Sequence, residues 1–317
     1  MKVPRYVCNF MEKAPSCVCA WEDSLLRKDS VGKESRFEEY DKESAALLST
    51  DVNMLRSVSS SSSSASSDAG IFFCAAADQE GLHLYLRYRE ERVEEVLAGL
   101  APGAMFEMYF RPGEGECYFQ WMENLHPEKT TFVAWTSPHR SYRKMDSFYR
   151  REIAPVADGM GIAMFLPWLL IYDKLPTNDS EWPLGIIVWG PRGGYSWGGG
   201  KVHELNRFGR LVFRDAEAWL PRIRRSIVLK AFGAFRQACP DVRNFWGDEV
   251  KGDLPFYEEV LQGRIERLLK GGEAVSPGMS REDSDRLFWE AVPDWMEFPY
   301  LLSELRKFWL KERLFPG

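Results

Sequence analysis

The sequence predicts a mainly β protein, an antiparallel β-sandwich followed by a C-terminal α-helical region. Three observations predict it. Between residues 71 and 213, short apolar runs alternate with polar residues and are separated by Gly and Pro, with no intervening helices. After Arg214 the apolar spacing becomes helical. The 317 residues include 12 Trp, 12 Tyr and 20 Phe, enough for a large core. We therefore expect two domains, a sandwich over 1–213 and a helical appendage over 214–317.

The first part of the chain gives weaker signals. Residues 1–56 carry mixed charges and weak periodicity. A serine-rich run follows at about residues 57–67. Runs of this composition stay solvated, so we expect a flexible loop or insertion there.

Two hairpins are predicted in the strand-rich part. Ile71–Ala77 and the alternating run 82–88 flank a polar, Gly-containing turn at 78–81. In the same way, the run 106–110 and the run 117–121 flank a Pro-Gly turn at 112–115. Further strands are expected at 131–135, 161–166, 185–189 and 211–213.

The C-terminal part shows helical spacing in four places. Apolar residues recur at three- and four-residue intervals over 227–235, 260–269, 287–291 and 301–310. Ser280 with Glu282 and Asp283 resembles a capped helix start. Trp289, Trp295 and Trp309 belong to this region, and a protein partner could dock there.

Composition excludes several function classes. The formal net charge is −6, which argues against nucleic-acid binding, because phosphate recognition requires a basic surface. No apolar run approaches the ~20 residues of a membrane span. No signal peptide is visible, so the sequence by itself indicates a cytoplasmic protein. The six cysteines include a Cys17-Val18-Cys19 pair but no second pair at zinc spacing, so we expect reduced thiols.

No catalytic motif is complete. His203-Glu204-Leu205-Asn206-Arg207 lacks the second histidine of a zinc-binding H-E-x-x-H motif. The glycines of residues 193–200 precede Lys201, yet Tyr195 and Val202 break the phosphate-loop pattern. No G-x-S-x-G sequence is present for a serine hydrolase. The sequence therefore favours a non-catalytic protein.

Residues 185–197 (GIIVWGPRGGYSW) and 207–213 (RFGRLVF) form the most informative stretch. This order resembles the closing signature of carbohydrate-binding module family 9 and its DOMON-like relatives. The segments FEMYF at 106–110, YFQ at 118–120 and AMFLPW at 163–168 are similar to family strands in the same order. The resemblance covers about residues 1–213. It implies a bacterial-type, immunoglobulin-like β-sandwich that binds sugar ends without catalysis, often with structural Ca²⁺ and no other cofactor.

The resemblance also implies site residues. Trp197 matches the stacking Trp of the Ser-Trp loop, and Glu107 matches the acid of the family's "V-E" strand. Arg192 lies in the closing stretch and is a further candidate sugar contact. An indole suits this role because a pyranose presents an apolar C–H face, while flanking polar groups bind the hydroxyls. The implied partner is a glycan or sugar end, which would suggest an extracellular or periplasmic location.

Two positions differ from the family pattern. Residues 94–104 contain no aromatic residue, although the second Trp of the family's sugar clamp is expected there. Gln120 stands where a hydroxyl-binding arginine is expected, and Trp121 or Arg111 could take its place.

Two other functions therefore remain open. The chain could be a structural or interaction protein that kept the sandwich and lost the clamp. It could also hold b-type haem through Met and His, as the cytochrome branch of the superfamily does.

Overall fold

The structure is a computed structural model. It describes residues 5–30, 55–57, 71–100, 105–114, 118–124, 132–136, 142–144, 150–157, 159–178, 180–190, 193–197, 205–245, 255–298, 307, 310, 311 and 314. The chain divides into two compact units, Met1–Trp219 and Leu220–Gly317, and the division falls inside one long helix. The expected boundary near Arg214 lies a few residues earlier. The predicted serine-rich loop lies outside the described residues apart from its first position, Ser57.

The first unit is mainly β. Thirteen strands of the described residues hydrogen-bond into one network. They are β1 (Arg5–Phe10), β2 (Leu55–Ser57), β3 (Ile71–Ala77), β4 (Gly81–Arg89), β5 (Met105–Phe110), β6 (Tyr118–Asn124), β7 (Phe132–Thr136), β8 (Tyr142–Lys144), β9 (Arg150–Val156), β10 (Gly159–Pro167), β11 (Glu181–Gly190), β12 (Gly193–Trp197) and β13 (Gly209–Phe213).

The strands form two sections joined by β1. Sheet A has the order β8-β7-β6-β5-β11-β13-β1, with β12 beside the second half of β11 and β2 beside β12. Sheet B has the order β1-β3-β4-β10-β9. The first four residues of β1 pair with β13 and its last two residues pair with β3. Both pairings of β1 are parallel, so the sheet is mixed and the expectation of a wholly antiparallel sandwich is wrong at this strand. The other strand pairs are antiparallel.

The two predicted hairpins are confirmed. Strand β3 pairs antiparallel with β4, and β5 pairs antiparallel with β6. The expectation that no helix intervenes between residues 71 and 213 is wrong. Helix α2 (Val93–Leu97) follows β4, and 3₁₀ turns cover Trp168–Lys174 and Leu205–Arg207. Helix α1 (Val18–Ser30) precedes them in the region of weak periodicity.

Aromatic side chains from both sections meet in the core of the first unit. Trp168, which follows β10 of sheet B, makes edge contacts with Trp182 and Phe213 of sheet A, at ring-centroid distances of 6.4 and 6.3 Å. Phe10 also contacts Trp168 and Phe213. These contacts join the two sections face to face, as in a sandwich-like fold.

The turn between β3 and β4 is organised by the buried carboxylate of Asp78. Its Oδ1 accepts hydrogen bonds from the backbone N–H groups of Glu80 and Gly81, at 2.8 and 3.1 Å. Its Oδ2 accepts from the backbone N–H of Ala14 at 3.2 Å and lies 3.0 Å from Nε2 of His83. One side chain therefore connects the hairpin turn to the segment that precedes α1.

The second unit is helical. Helix α3 (Ala216–Phe245) enters it, and α4 (Pro255–Gly271), α5 (Arg281–Glu290) and a helical segment at 292–298 follow. The predicted cap of α5 is confirmed, because the Ser280 side chain accepts a hydrogen bond from the backbone N–H of Asp283 at 3.0 Å. The core of this unit contains Phe235, Phe288, Trp295 and Phe298. None of the helices within the described part of the chain is long and apolar enough to cross a membrane.

Candidate functional site

The candidate site lies on strands β5 and β6 of sheet A. Successive residues of a strand face opposite sides of a sheet. Met108 and Phe110 of β5 are at most 1% exposed and face the core. Glu107 and Tyr109 therefore lie on the other face, and Gln120 of β6 lies directly opposite Tyr109. Two of the residues expected from the sequence, Glu107 and Gln120, thus share one face of the sheet.

A tyrosine joins these two polar side chains. The hydroxyl of Tyr109 donates a hydrogen bond to Oε2 of Glu107. Nε2 of Gln120 donates to the same hydroxyl at 3.5 Å, a long contact. Burial, followed by the hydrogen bond and the charge of Glu107, raises the pKa of Tyr109. The phenol therefore remains a neutral donor and holds the Glu107 carboxylate in place.

The floor of the site is closely packed. Tyr109 is 0% exposed and stacks on Phe208, with ring centroids 5.7 Å apart. Phe208 lies directly over Gly185 of β11, where a Cβ atom would come within 2.6 Å of its ring. Tyr118 and Leu205 complete the cluster. A glycine at position 185 is thus what allows Phe208 to reach Tyr109.

Arg210 of β13 holds the segment that carries Phe208. Its guanidinium donates to the carbonyl oxygens of Phe208, Gly209 and Asn206 at 2.8, 3.2 and 3.3 Å. Burial, and then the positive charges of Arg111 and Arg5, lower the pKa of Arg210. The segment is fixed by these hydrogen bonds.

Arg111 follows β5 beside this network. Its backbone N–H donates to the carbonyl of Pro183 on β11 at 3.0 Å. Pro183 pairs with Arg210 of β13, which in turn pairs with Arg5 of β1. The register therefore places three arginines in one row across the sheet, two residues along the strands from the row of Tyr109 and on the same face.

Three other expected site residues have different outcomes. Trp121 is 1% exposed and lies opposite Met108, so it packs in the core and is left out of the proposed site. Arg192 lies outside the described residues. Trp197 is the last residue of β12, and only its backbone is described. It pairs with Ile186 of β11, which lies in the row of core-facing Met108. Glu107 pairs with the next residue, Ile187, so the register places Trp197 on the opposite face of sheet A from Glu107.

Two parts of this site, Tyr109 and the support from Phe208 and Arg210, are not among the residues expected from the sequence. The sequence signal for Tyr109 is its position: it is a large polar residue two places after Glu107 in the same strand, so it lies on the same face of the sheet. The support from Phe208 and Arg210 had no local signal, because it depends on a segment that follows β12 in the chain. In the residues that the structure describes, no group of three or more His, Cys, Asp or Glu side chains could hold a metal ion.

Comparison with known proteins gave structural likenesses only. No family model and no curated protein matches the sequence. The structure is similar to a candidate carbohydrate-binding protein from Bacteroides uniformis, with a TM-score of 0.45 and 12% identity over 67% of this chain and 100% of the other.

It is also similar to family 9 carbohydrate-binding modules from Caldicellulosiruptor kristjanssonii. The glucose complex has a TM-score of 0.37 and 8% identity, covering 66% of this chain and 95% of the other. The cellotriose complex has a TM-score of 0.34 and 7% identity, covering 66% and 93%. This is the family whose closing signature the sequence resembles.

Proposed function

We propose that the first unit is an immunoglobulin-like sandwich that binds carbohydrate non-catalytically at the sheet face of Glu107 and Gln120. The observation that carries the proposal is the hydrogen-bonded group formed by Glu107, Tyr109 and Gln120. Trp197 lies in the row of core-facing Ile186 and Met108, on the opposite face of the sheet, and is left out of this site. Arg111 and Arg192 are proposed as flanking hydroxyl ligands.

The polar atoms at this face match the needs of sugar hydroxyls. Glu107 uses Oε2 to accept from Tyr109, and its Oε1 has no hydrogen-bond partner among the described residues. Gln120 contributes an amide that both donates and accepts. Each sugar hydroxyl can donate one hydrogen bond and accept up to two. A carboxylate oxygen next to a carboxamide therefore suits a pair of neighbouring hydroxyls.

The support beneath these groups favours binding. Glu107 is half-buried and tied to a phenol that is itself fixed by Phe208. An ordered side chain loses less conformational entropy when a ligand binds, and immobilising a free one costs about 0.5–1.5 kcal/mol. The carboxylate is therefore held ready for a ligand before the ligand arrives.

A sugar titration tests the proposal. Glucose, cellotriose and a panel of other mono- and oligosaccharides are titrated into the full chain, and tryptophan fluorescence and calorimetry are recorded. We expect saturable binding at millimolar concentration or below. Glu107→Gln should weaken it roughly 10- to 150-fold, because a hydrogen bond to a charged group contributes about 1.5–3 kcal/mol. Glu94→Gln, at an exposed position of α2, is the matched control and should bind like the wild type.

Trp197→Ala tests the exclusion of Trp197 from the site. We expect unchanged binding, because the register places Trp197 on the opposite face of the sheet from Glu107. Loss of both affinity and the fluorescence change would contradict this exclusion and indicate that the sugar stacks on this indole. No response of the wild type to any sugar at millimolar concentration would refute carbohydrate binding and favour an interaction protein that kept only the sandwich.

A further inference from the structure

Two cysteines meet at the start of helix α1. Cys17 directly precedes the helix, and Cys19 is its second residue. Their Sγ atoms lie 3.0 Å apart. The side chain of Cys19 is exposed and that of Cys17 is half-buried. The other described cysteines are buried: Cys8, Cys74 and Cys239.

The residue between the two cysteines is held firmly in place. The backbone N–H of Val18 donates to Oε2 of Glu152 on β9 at 3.0 Å. Val18 is 3% exposed, and its Cγ1 fills the space that a Cβ at Gly161 would enter, at 2.7 Å. The backbone N–H of Ala20 donates to Sγ of Cys17 at 3.4 Å. Both sulfurs are therefore positioned by contacts with the helix and with sheet B.

This arrangement is suited to disulfide formation. The sulfurs must approach by only about 1 Å to reach the bond length of a disulfide, about 2.05 Å. Residues two apart at a helix start also have Cα atoms within the range that a disulfide can bridge. The hydrogen bond between the two sulfurs raises the pKa of Cys19, so the exchange should be faster at alkaline pH, where more of the thiolate is present.

We propose that Cys17 and Cys19 are a redox-active dithiol that a low-molecular-weight disulfide oxidises reversibly. One protein thiolate attacks a sulfur of the small disulfide, forming a mixed disulfide and releasing one small thiolate. The second protein thiolate then attacks the protein sulfur of that mixed disulfide. It forms the Cys17–Cys19 bond and releases the second small thiolate. The protein loses two electrons and two protons, and the small disulfide gains both.

The proposal does not depend on sugar binding, because α1 packs on β9 and β10 of sheet B and Glu107 lies on sheet A. The exposed sulfur of Cys19 is the one that the reagent can reach first. Reduction by a small dithiol reverses both steps, since each is a thiol–disulfide exchange.

The test uses the folded full chain in buffers with varied ratios of glutathione disulfide to glutathione. The reaction is stopped with an alkylating reagent, and the protein is digested with trypsin. The mass of peptide 14–27, which contains Cys17 and Cys19 but no other cysteine, is then measured by mass spectrometry. We expect this peptide to lose two hydrogens and to escape alkylation. Dithiothreitol should restore two alkylatable thiols. The buried Cys8 and Cys74 serve as internal controls and should remain thiols.

Cys17→Ser and Cys19→Ser distinguish a pair from two independent thiols. Each variant should stop at the mixed disulfide and carry one glutathione on the remaining cysteine. The proposal is overturned if the wild type also accumulates that adduct without closing the ring. It is equally overturned if peptide 14–27 remains fully reduced at every ratio.

Discussion

Removal of the Asp78 carboxylate should destabilise the first unit strongly. Asp78 is 5% exposed, and two of the backbone donors it satisfies, those of Ala14 and Gly81, are in buried hydrogen bonds. A buried donor left without a partner costs about 1–3 kcal/mol, so Asp78→Ala should lower the free energy of unfolding by about 2–6 kcal/mol. Whole domains are stable by only about 5–15 kcal/mol, which makes this a large fraction.

A graded series sharpens the test. Asp78→Asn keeps one oxygen for Glu80 and Gly81 but replaces the oxygen that accepts from Ala14 and faces His83. Its cost should therefore lie between those of the wild type and Asp78→Ala. Asp173→Ala, at an exposed position of the same unit, is the control and should change stability by less than about 0.5 kcal/mol.

The assay must follow the first unit separately, because a chain with two units need not unfold in one step. Urea-dependent hydrogen–deuterium exchange of peptides from β3 and β4 gives that readout. A loss for Asp78→Ala below about 1 kcal/mol, or equal to that of the Asp173 control, would refute the role given to this carboxylate.

Three further outcomes are expected. Burial acts to raise the pKa of Asp78, but its interactions with His83 and the backbone donors outweigh burial and lower it. The stability that Asp78 contributes is therefore complete above the ordinary pKa of 3.8 and is lost as the pH falls through the lowered pKa. Hydrogen–deuterium exchange of the β3 and β4 peptides, measured at decreasing pH, should show this loss. The same pH dependence should be absent from Asp78→Asn. Gly185→Val should destabilise the sheet by about 1–3 kcal/mol in thermal unfolding, since its Cβ would meet a ring at 2.6 Å; a neutral effect would contradict that contact. In the second unit, Trp295→Ala should lower the free energy of unfolding by about 3–5 kcal/mol, because Trp295 is 1% exposed. Trp289 is 65% exposed, so Trp289→Ala should lower it by less than about 1 kcal/mol. Equal losses for the two variants in urea unfolding would contradict this difference in burial.

The hairpins could be predicted because their information is local. The runs that form β4 and β5 alternate clearly, and each is separated from its partner, β3 or β6, by its own turn residues. Strand β1 could not be predicted in this way, because its partners lie in β13 and β3 and its six residues carry no alternation of their own. Helix α1 was missed for a related reason. Its described buried positions are Val18 and Trp21, too few to give a period.

The site shows the same limit. Gln120 and Trp121 are neighbours in one strand, so alternation alone forbids both from facing the same ligand. The structure places Trp121 in the core and Gln120 beside Tyr109. The support from Phe208 and Arg210 arises from a segment far along the chain. Only the folded sheet brings it to β5.

The position of β1 has a consequence for synthesis of the protein on the ribosome. Among the described strands this one is synthesised before the others, yet its sheet A partner, β13, is the last strand of the first unit to emerge. Pairings between such distant segments close large loops and form slowly. The nascent chain must therefore keep an edge of sheet A open until Phe213 has left the exit tunnel, a period in which an unpaired strand is exposed to aggregation.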